Sequence, residues 1–135
     1  KKKLPYLSDK AFFIKHGYEV CDACAPNIEL LVKRFRQDAP LPRFKACASA
    51  GLGDDVKGID IFYTVQCPFT MPYIKLLEPV IQAASVPVRV HPITTREMAR
   101  EHRAPHTTYC VFVDGKFYTR EVLTPAKLQK LLEKQ

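Results

Sequence analysis

The chain has 135 residues, of which 47% are hydrophobic, and this composition excludes an intrinsically disordered protein. Its formal net charge of +7 raises nucleic-acid binding as a function, but the basic residues are scattered and several have carboxylates nearby. Because no basic stripe is interleaved with stacking aromatics, we favour a solvated basic surface and keep a nucleic-acid-interacting domain only as a second alternative.

The first 36 residues predict a short helix and two strands. Ser8 or Asp9 can cap a helix that runs to about His16, and Gly17 can close it. A short strand is predicted over residues 18–22. A second strand follows the next turn, and its alternating residues form one apolar face: Ile28, Leu30 and Val32.

Residues 37–56 are interpreted as a linker that contains one short helix. Residues 37–42 include two prolines, which favour an extended or turning backbone. A helix over residues 43–50 would place Phe44, Cys47 and Ala48 on one face, and Gly51 would end it. A loop is predicted from there to Gly58.

Residues 57–135 show a more regular pattern and are interpreted as a separate domain. A strand over residues 59–64 leads to Cys67, and a helix follows whose apolar residues share one helical face: Tyr73, Leu76, Leu77, Val80, Ile81 and Ala84. A second strand covers residues 86–93. Thr94 and Glu97 then form a capping box for a helix that runs to about His102.

The last predicted elements are a hairpin and a helix. Strands over residues 108–113 and 116–121 are joined by Asp114-Gly115, a dipeptide that favours the tight turn of antiparallel strands. Thr124 caps the final helix, with Pro125 at its first position and three leucines facing inward: Leu128, Leu131 and Leu132. The order βαβαββα gives a parallel first crossover and an antiparallel hairpin. We therefore predict an α/β domain with a mixed sheet and a thioredoxin-like fold.

The candidate catalytic residue is Cys67, at the first turn of this domain. The segment around it, Gln66-Cys67-Pro68-Phe69-Thr70, resembles the Cys-Pro-x-Cys loop of glutaredoxins. A thiol at a helix N-terminus faces unpaired N–H groups, which stabilise a thiolate. Thr70 stands where a dithiol enzyme has its resolving cysteine, so the resemblance implies a monothiol loop. The alternative interpretation is that Cys67 is a small buried residue in a tight turn.

The predicted substrate-binding residues are Pro68, Phe69, Pro105, His106 and Thr107. The resemblance to thioredoxins implies a cis-proline that precedes the hairpin and faces the cysteine. Pro105 is the candidate, and Thr107 takes the family position if Pro105 is trans.

Two histidines and one cysteine near this segment have simpler interpretations. His102 and His106 are interpreted as exposed loop residues, with the alternative that one of them lies near Cys67. Cys110, on the following strand, is expected in the core.

The first 36 residues resemble the last helix and strands of GNAT-family N-acetyltransferases, mainly over residues 9–20 and 29–33. In that family a Tyr of the helix can serve as general acid, and the matching residue here is Phe13. The glycine-rich loop for the acetyl-CoA pyrophosphate lies upstream in such enzymes and is absent here. Such a tail followed by a thioredoxin-like domain is similar to the YoaP-like acetyltransferases.

The YoaP-like resemblance implies that this chain is the C-terminal part of a longer N-acetyltransferase, and the lack of an initiator Met fits that expectation. The partner would be an upstream GNAT domain, and acetyl-CoA would be the cofactor of the parent protein. The chain itself would bind no acetyl-CoA, so whether it is an enzyme alone stays open.

The five cysteines are expected as free thiols in the cytoplasm, because an odd number suits a reducing compartment. Cys21 and Cys24 have the spacing of half a zinc site, but no second pair follows, and we predict no metal. No apolar run is long enough to span a membrane, and we expect no membrane partner.

The leading hypothesis for function is an accessory domain that binds a small-molecule or peptide substrate, or a partner, through the Cys67 loop. The alternative is a monothiol glutaredoxin-like oxidoreductase, whose cofactor glutathione would need cationic residues: Lys75, Arg96, Arg100 and Arg103 are candidates. The N-terminal strands leave an open edge and an apolar face, so we also expect a homodimer.

Overall fold

The computed structural model describes residues 9–25 and 27–135, and the chain divides into two compact units. The first unit is Lys1–Lys45 and the second is Ala46–Gln135. The division after Lys45 falls inside the segment that we predicted as a linker.

The first unit contains the short helix α1 (Lys10–Lys15) and the strands β1 (Glu19–Cys24) and β2 (Ile28–Val32). The two strands pair antiparallel, with a bulge between Val20 and Asp22. Asp9 caps the helix, since its Oδ1 accepts a hydrogen bond from the Ala11 amide at 2.9 Å. Gly17 ends the helix with φ +83°. The predicted helix and strands are confirmed, while the other predicted cap, Ser8, lies outside the described residues.

The helix predicted over residues 43–50 is wrong except for one 3₁₀ turn over Ala46–Ser49. Before that turn the chain is tied to β1: the Phe44 amide donates to Asp22 Oδ2 at 2.8 Å, and Arg43 Nη1 donates to the Cys21 carbonyl at 2.6 Å. These two contacts attach residues 43 and 44 to β1, and the helical turn begins only after them, at Ala46.

The second unit contains four strands and three helices. They are β3 (Ile59–Tyr63), α2 (Thr70–Gln82), β4 (Val88–Pro92), α3 (Arg96–Arg100), β5 (Tyr109–Val113), β6 (Lys116–Thr119) and α4 (Pro125–Leu132). The sheet order is β4-β3-β5-β6, with β3 parallel to β4 and antiparallel to β5, and with β5 antiparallel to β6. The predicted mixed sheet, parallel crossover and antiparallel hairpin are confirmed.

The two faces of this sheet differ in chemistry because side chains alternate along each strand. One face carries the main apolar core, in which Ile59, Ile61 and Val111 are fully buried and pack with Leu77 of α2 and Leu128 of α4. The other face holds a smaller cluster of Ala104, Cys110 and Phe112, together with polar side chains described below.

The predicted buried face of α2 is confirmed at Leu77, Val80 and Ile81, which belong to or pack against the core, but not at Tyr73 and Leu76. Ile74 and Leu77 are buried, whereas Tyr73 is 37% exposed and Leu76 is 56% exposed. The sequence offers apolar residues on more than one side of this helix, so its periodicity alone did not decide which side meets the sheet. The last helix agrees with the prediction, since Leu128 and Leu131 are buried and Leu132 packs against the core.

The caps and the hairpin turn follow local chemistry. Thr95, not the predicted Thr94, caps α3 by accepting a hydrogen bond from the Met98 amide at 3.1 Å, and Thr124 caps α4 as predicted. Asp114 and Gly115 form the predicted turn with φ +47° and +75°. An added Cβ at Gly115 would lie 1.9 Å from the Gly53 carbonyl oxygen, so the loop beside the hairpin requires glycine there.

The two adjacent leucines of α2 provide a test of its orientation. We expect Leu77→Ala to lower the free energy of unfolding by about 2–5 kcal/mol, because it leaves a cavity in the core. The matched variant Leu76→Ala should cost less than about 0.5 kcal/mol, because that side chain is largely in water. Urea unfolding followed by circular dichroism measures both, and equal losses would show that α2 does not bury the Leu77 face.

Candidate functional site

The candidate site lies at one edge of the second unit's sheet, where β3 and β4 end and β5 begins. The edge is closed by two backbone hydrogen bonds: the Ile93 amide donates to the Tyr63 carbonyl at 2.7 Å, and the Thr64 amide donates to the Thr108 carbonyl at 3.0 Å. Ligands of α/β sheets commonly bind outside the carboxyl ends of parallel strands. Both predicted segments, the Cys67 loop and residues 105–107, therefore start from this same edge.

Cys67 lies in the turn between β3 and α2 and is partly exposed. Its carbonyl accepts a hydrogen bond from the Thr70 amide at 3.1 Å, and α2 begins at Thr70. Within the described residues the Cys67 thiol makes no hydrogen bond. Its neighbour Phe69 is 70% exposed, and Val65, at the start of the turn, is 72% exposed. The thiol thus lies in an apolar, accessible loop next to a helix N-terminus.

Two buried hydroxyl groups flank this loop without a hydrogen-bond partner among the described residues. They belong to Thr64, which is 7% exposed, and Thr70, which is fully buried. A buried hydroxyl without a partner costs free energy, so each of these groups is available to a water molecule or a ligand. Thr70, which the glutaredoxin resemblance predicts in the position of a resolving cysteine, is therefore an inward-facing residue.

The second predicted segment is partly buried over Pro105, His106 and Thr107. The His106 ring lies 6.2 Å from the Phe117 ring, and burial, with a further effect of Arg120, lowers the pKa of His106. Within the described part of the chain, no side-chain hydrogen bond joins this segment to Cys67. The cis isomer of Pro105 stays a prediction.

His102 is not an exposed loop residue, so that interpretation was wrong. It is 7% exposed, and its Nε2 lies 3.0 Å from the Sγ of Cys110, which is fully buried as expected. Burial lowers the pKa of His102 and raises the pKa of Cys110 to about 12. A neutral histidine against a protonated thiol is a core contact, and the two groups are engaged with each other.

A charged cluster that was not predicted from the sequence lies on the face of the sheet that also carries Cys110. Asp60, on the central strand β3, is 2% exposed and binds Arg89 through two hydrogen bonds of 2.7 and 2.6 Å. His91 Nε2 lies 2.7 Å from the Asp60 carboxylate, and its ring stacks on Phe62 at 4.5 Å. The available signal was one charged residue inside each of two apolar strands, which a parallel register brings to one face.

Burial raises the pKa of Asp60, but hydrogen bonds from Arg89 and His91 outweigh that effect and leave the pKa below its usual value. The carboxylate is therefore ionised and neutralised in place. The Nε2 atom of His91 is hydrogen-bonded to Asp60, so we interpret the cluster as a structural part of the sheet.

The described residues contain no group of three or more His, Cys, Asp or Glu side chains placed to hold a metal ion. Cys21 and Cys24 are buried in β1 as free thiols. None of the helices within residues 9–25 and 27–135 is long and apolar enough to cross a membrane.

Comparison with known proteins gives two matches to one family. A family described as YoaP-like matches residues 87–130, which run from β4 into α4. The chain is also 38% identical over 132 residues to the uncharacterized N-acetyltransferase YoaP of Bacillus subtilis (strain 168), which covers 98% of the chain and 52% of that protein. The YoaP-like resemblance is confirmed. The chain spans about half the length of this curated relative, and no solved structure matches it.

The Asp60 cluster predicts how stability depends on pH. The pKa of the Asp60 carboxyl group is lower in the folded than in the unfolded chain. The carboxylate therefore stabilises the fold above the unfolded pKa of about 3.9, and this contribution is lost as the pH falls through the folded pKa. We expect Asp60→Asn to cost about 2 kcal/mol at pH 7 and progressively less below about pH 4. Urea unfolding from pH 7 to 3 measures this.

Asp54→Asn, at an exposed position of the same unit, is the matched control and should change stability by less than about 0.5 kcal/mol. A cost of Asp60→Asn that stays constant with pH would contradict an ionised Asp60 in the fold.

Proposed function

We propose that this chain is the accessory half of a GNAT-type N-acetyltransferase and that its second unit binds substrate or a partner through the Cys67 edge. The observation that carries the proposal is the partly exposed Cys67 at the sheet edge, beside the exposed Phe69 and Val65, in a chain that resembles YoaP over almost its whole length. Apolar side chains exposed together typically mark a binding surface.

The connectivity of the second unit supports a thioredoxin-like fold. A parallel pair joined by α2 is followed by an antiparallel hairpin and a last helix, and the central strand β3 lies between β4 and β5. The Cys67 turn then lies between the first strand and the first helix of the unit, where that fold keeps its thiol.

The first unit supports a relation to the end of a GNAT domain, because a short helix followed by an antiparallel strand pair is what that interpretation requires. The acetyl-CoA site would lie in the half of the relative that this chain does not cover. Phe13 provides no acid group, so acetyl transfer would depend on residues outside the chain. Phe12, which is 52% exposed, and Val20, which is 41% exposed, add apolar surface to this unit.

That surface would pack against the upstream GNAT domain, which we propose as the principal partner. Pairing between two copies through the open edges of β1 and β2 is the alternative. We place the protein in the cytoplasm, because none of its five cysteines forms a disulfide.

A monothiol oxidoreductase is the second candidate function, favoured by the free thiol and by the absence of a cysteine at residue 70. Attack by Cys67 on a disulfide would form a mixed disulfide and release the other sulfur as a thiolate, and glutathione would then have to release Cys67. Arg96, Arg100 and Arg103 are exposed and form no ion pair within the described residues, so they are available to glutathione carboxylates.

Alkylation of the thiols tests the accessibility that both functions need. With limiting iodoacetamide at pH 7, we expect Cys67 to be modified before Cys47 and long before Cys110. Cys67 and Cys47 are both partly exposed, but the Cys47 thiol donates a hydrogen bond to the Arg100 carbonyl, and Cys110 is buried against His102. Peptide mass spectrometry reads each site, and Cys67→Ser shows which signal is lost. Modification of Cys67 last would exclude the Cys67 edge as a site.

Binding of acetyl-CoA tests the accessory role. Calorimetry should show no specific binding of acetyl-CoA to the 135-residue chain. Acetyl-CoA should bind to a longer protein in which this chain is joined to the half of the relative that it does not cover. The longer version with Phe69→Ala should keep acetyl-CoA affinity while losing affinity for the acetyl acceptor. Micromolar binding of acetyl-CoA to the isolated chain would show that the chain is more than an accessory half.

A further inference from the structure

A surface groove between α4 and the edge strand β6 is not used by the proposed function. Its volume is about 520 Å³, which is within the range of small-molecule sites. Apolar side chains of Leu123 and Leu131 line it, together with polar residues from both elements. The groove therefore combines an apolar floor with charged walls.

A bulge in β6 turns two consecutive residues toward this groove. Val111 pairs with Thr119 and Phe112 pairs with Phe117, so Tyr118 is the extra residue between them. Successive side chains of a regular strand point to opposite faces, but a bulge re-aims one of them. Tyr118 and Thr119 accordingly both line the groove, and Tyr118 is 53% exposed.

Three lysines of α4 and the segment after it face the same groove: Lys127, Lys130 and Lys134. Lys127 Nζ forms an ion pair with Glu121 Oε2 at 3.1 Å, which neutralises the one carboxylate of the lining. Lys130 and Lys134 have no anionic partner among the described residues. The helix C-terminus favours a cation at Lys130, but it does not explain why an aromatic ring is turned to the same groove.

We propose that this groove binds a small anionic ligand that carries a planar ring. The ring packs against Tyr118 and the leucine floor, and the anionic group lies between Lys130, on α4, and Lys134, in the turn that follows the helix. Two ammonium groups without internal partners suit a dianion, and the Glu121–Lys127 pair shows that the groove already accommodates a carboxylate. Aromatic phosphate esters and aromatic dicarboxylates share this chemistry.

Titration of the full chain at physiological salt tests the proposal and distinguishes aromatic phosphate esters from aromatic dicarboxylates. Adenosine diphosphate is the phosphate probe and isophthalate is the dicarboxylate probe, while adenosine and pyrophosphate each lack one of the two groups. Amide chemical shifts of residues 116–134 report binding. We expect saturable binding of one ring-bearing anion with a dissociation constant at or below about 1 mM, and weaker binding of adenosine and pyrophosphate.

The double variant Lys130→Gln with Lys134→Gln should weaken that binding by roughly fivefold or more, since two exposed ion pairs are lost. Tyr118→Ala should remove the advantage of the ring-bearing probe over pyrophosphate. The matched control, Lys45→Gln with Lys57→Gln, has the same net charge and exposed positions outside the groove lining, and it should bind as the original chain does. Equal weakening in the control, equal affinity for pyrophosphate, or no saturable binding of either ring-bearing anion would each overturn the proposal.

Discussion

The arrangement of the second unit depends on a carboxylate that is buried in its central strand. Asp60 is 2% exposed on a strand that is paired on both sides, and an unpaired charge there would cost several kcal/mol. Arg89 satisfies it with a bidentate contact, and His91 adds a third hydrogen bond. A shift of one residue in the register of β4 would turn both partners to the apolar face. The ion cluster therefore selects the β3–β4 register.

That register fixes where the candidate site begins. With Asp60 opposite Arg89, Tyr63 lies opposite Pro92 on one side, and on the other side it pairs with Tyr109. The hydrogen bonds that the Ile93 and Thr64 amides donate then join the segments that leave the sheet at this edge. The hydrogen-bonded strand ends form a rigid scaffold, and the turn that contains Cys67 extends from it toward solvent. A binding loop needs both features, because a rigid scaffold positions the loop at little entropic cost.

Local chemistry explains which predictions from the sequence were correct. The Asp114-Gly115 turn and the Thr124 cap depend on residues adjacent in the chain, so sequence was sufficient for them. The buried face of α2 depends on which of two apolar sides meets the sheet, and Thr94 and Thr95 differ only in which amide each can reach. The burial of His102 depends on Cys110, and the pairing of Asp60 depends on a register, so both require the folded structure.

The two candidate functions of the Cys67 edge share one physical requirement. Thr70, which the glutaredoxin resemblance predicts in the position of a resolving cysteine, is fully buried, and Cys110 is hydrogen-bonded to His102 in the core. Neither residue supplies a second thiol to Cys67, and a bound molecule that supplied one would first bind over Phe69 and Val65. Binding is thus the step that an oxidoreductase and an accessory domain have in common, while sulfur chemistry requires glutathione in addition. Because the accessory role needs only the surface that the chain itself presents, it is the more economical explanation of this edge.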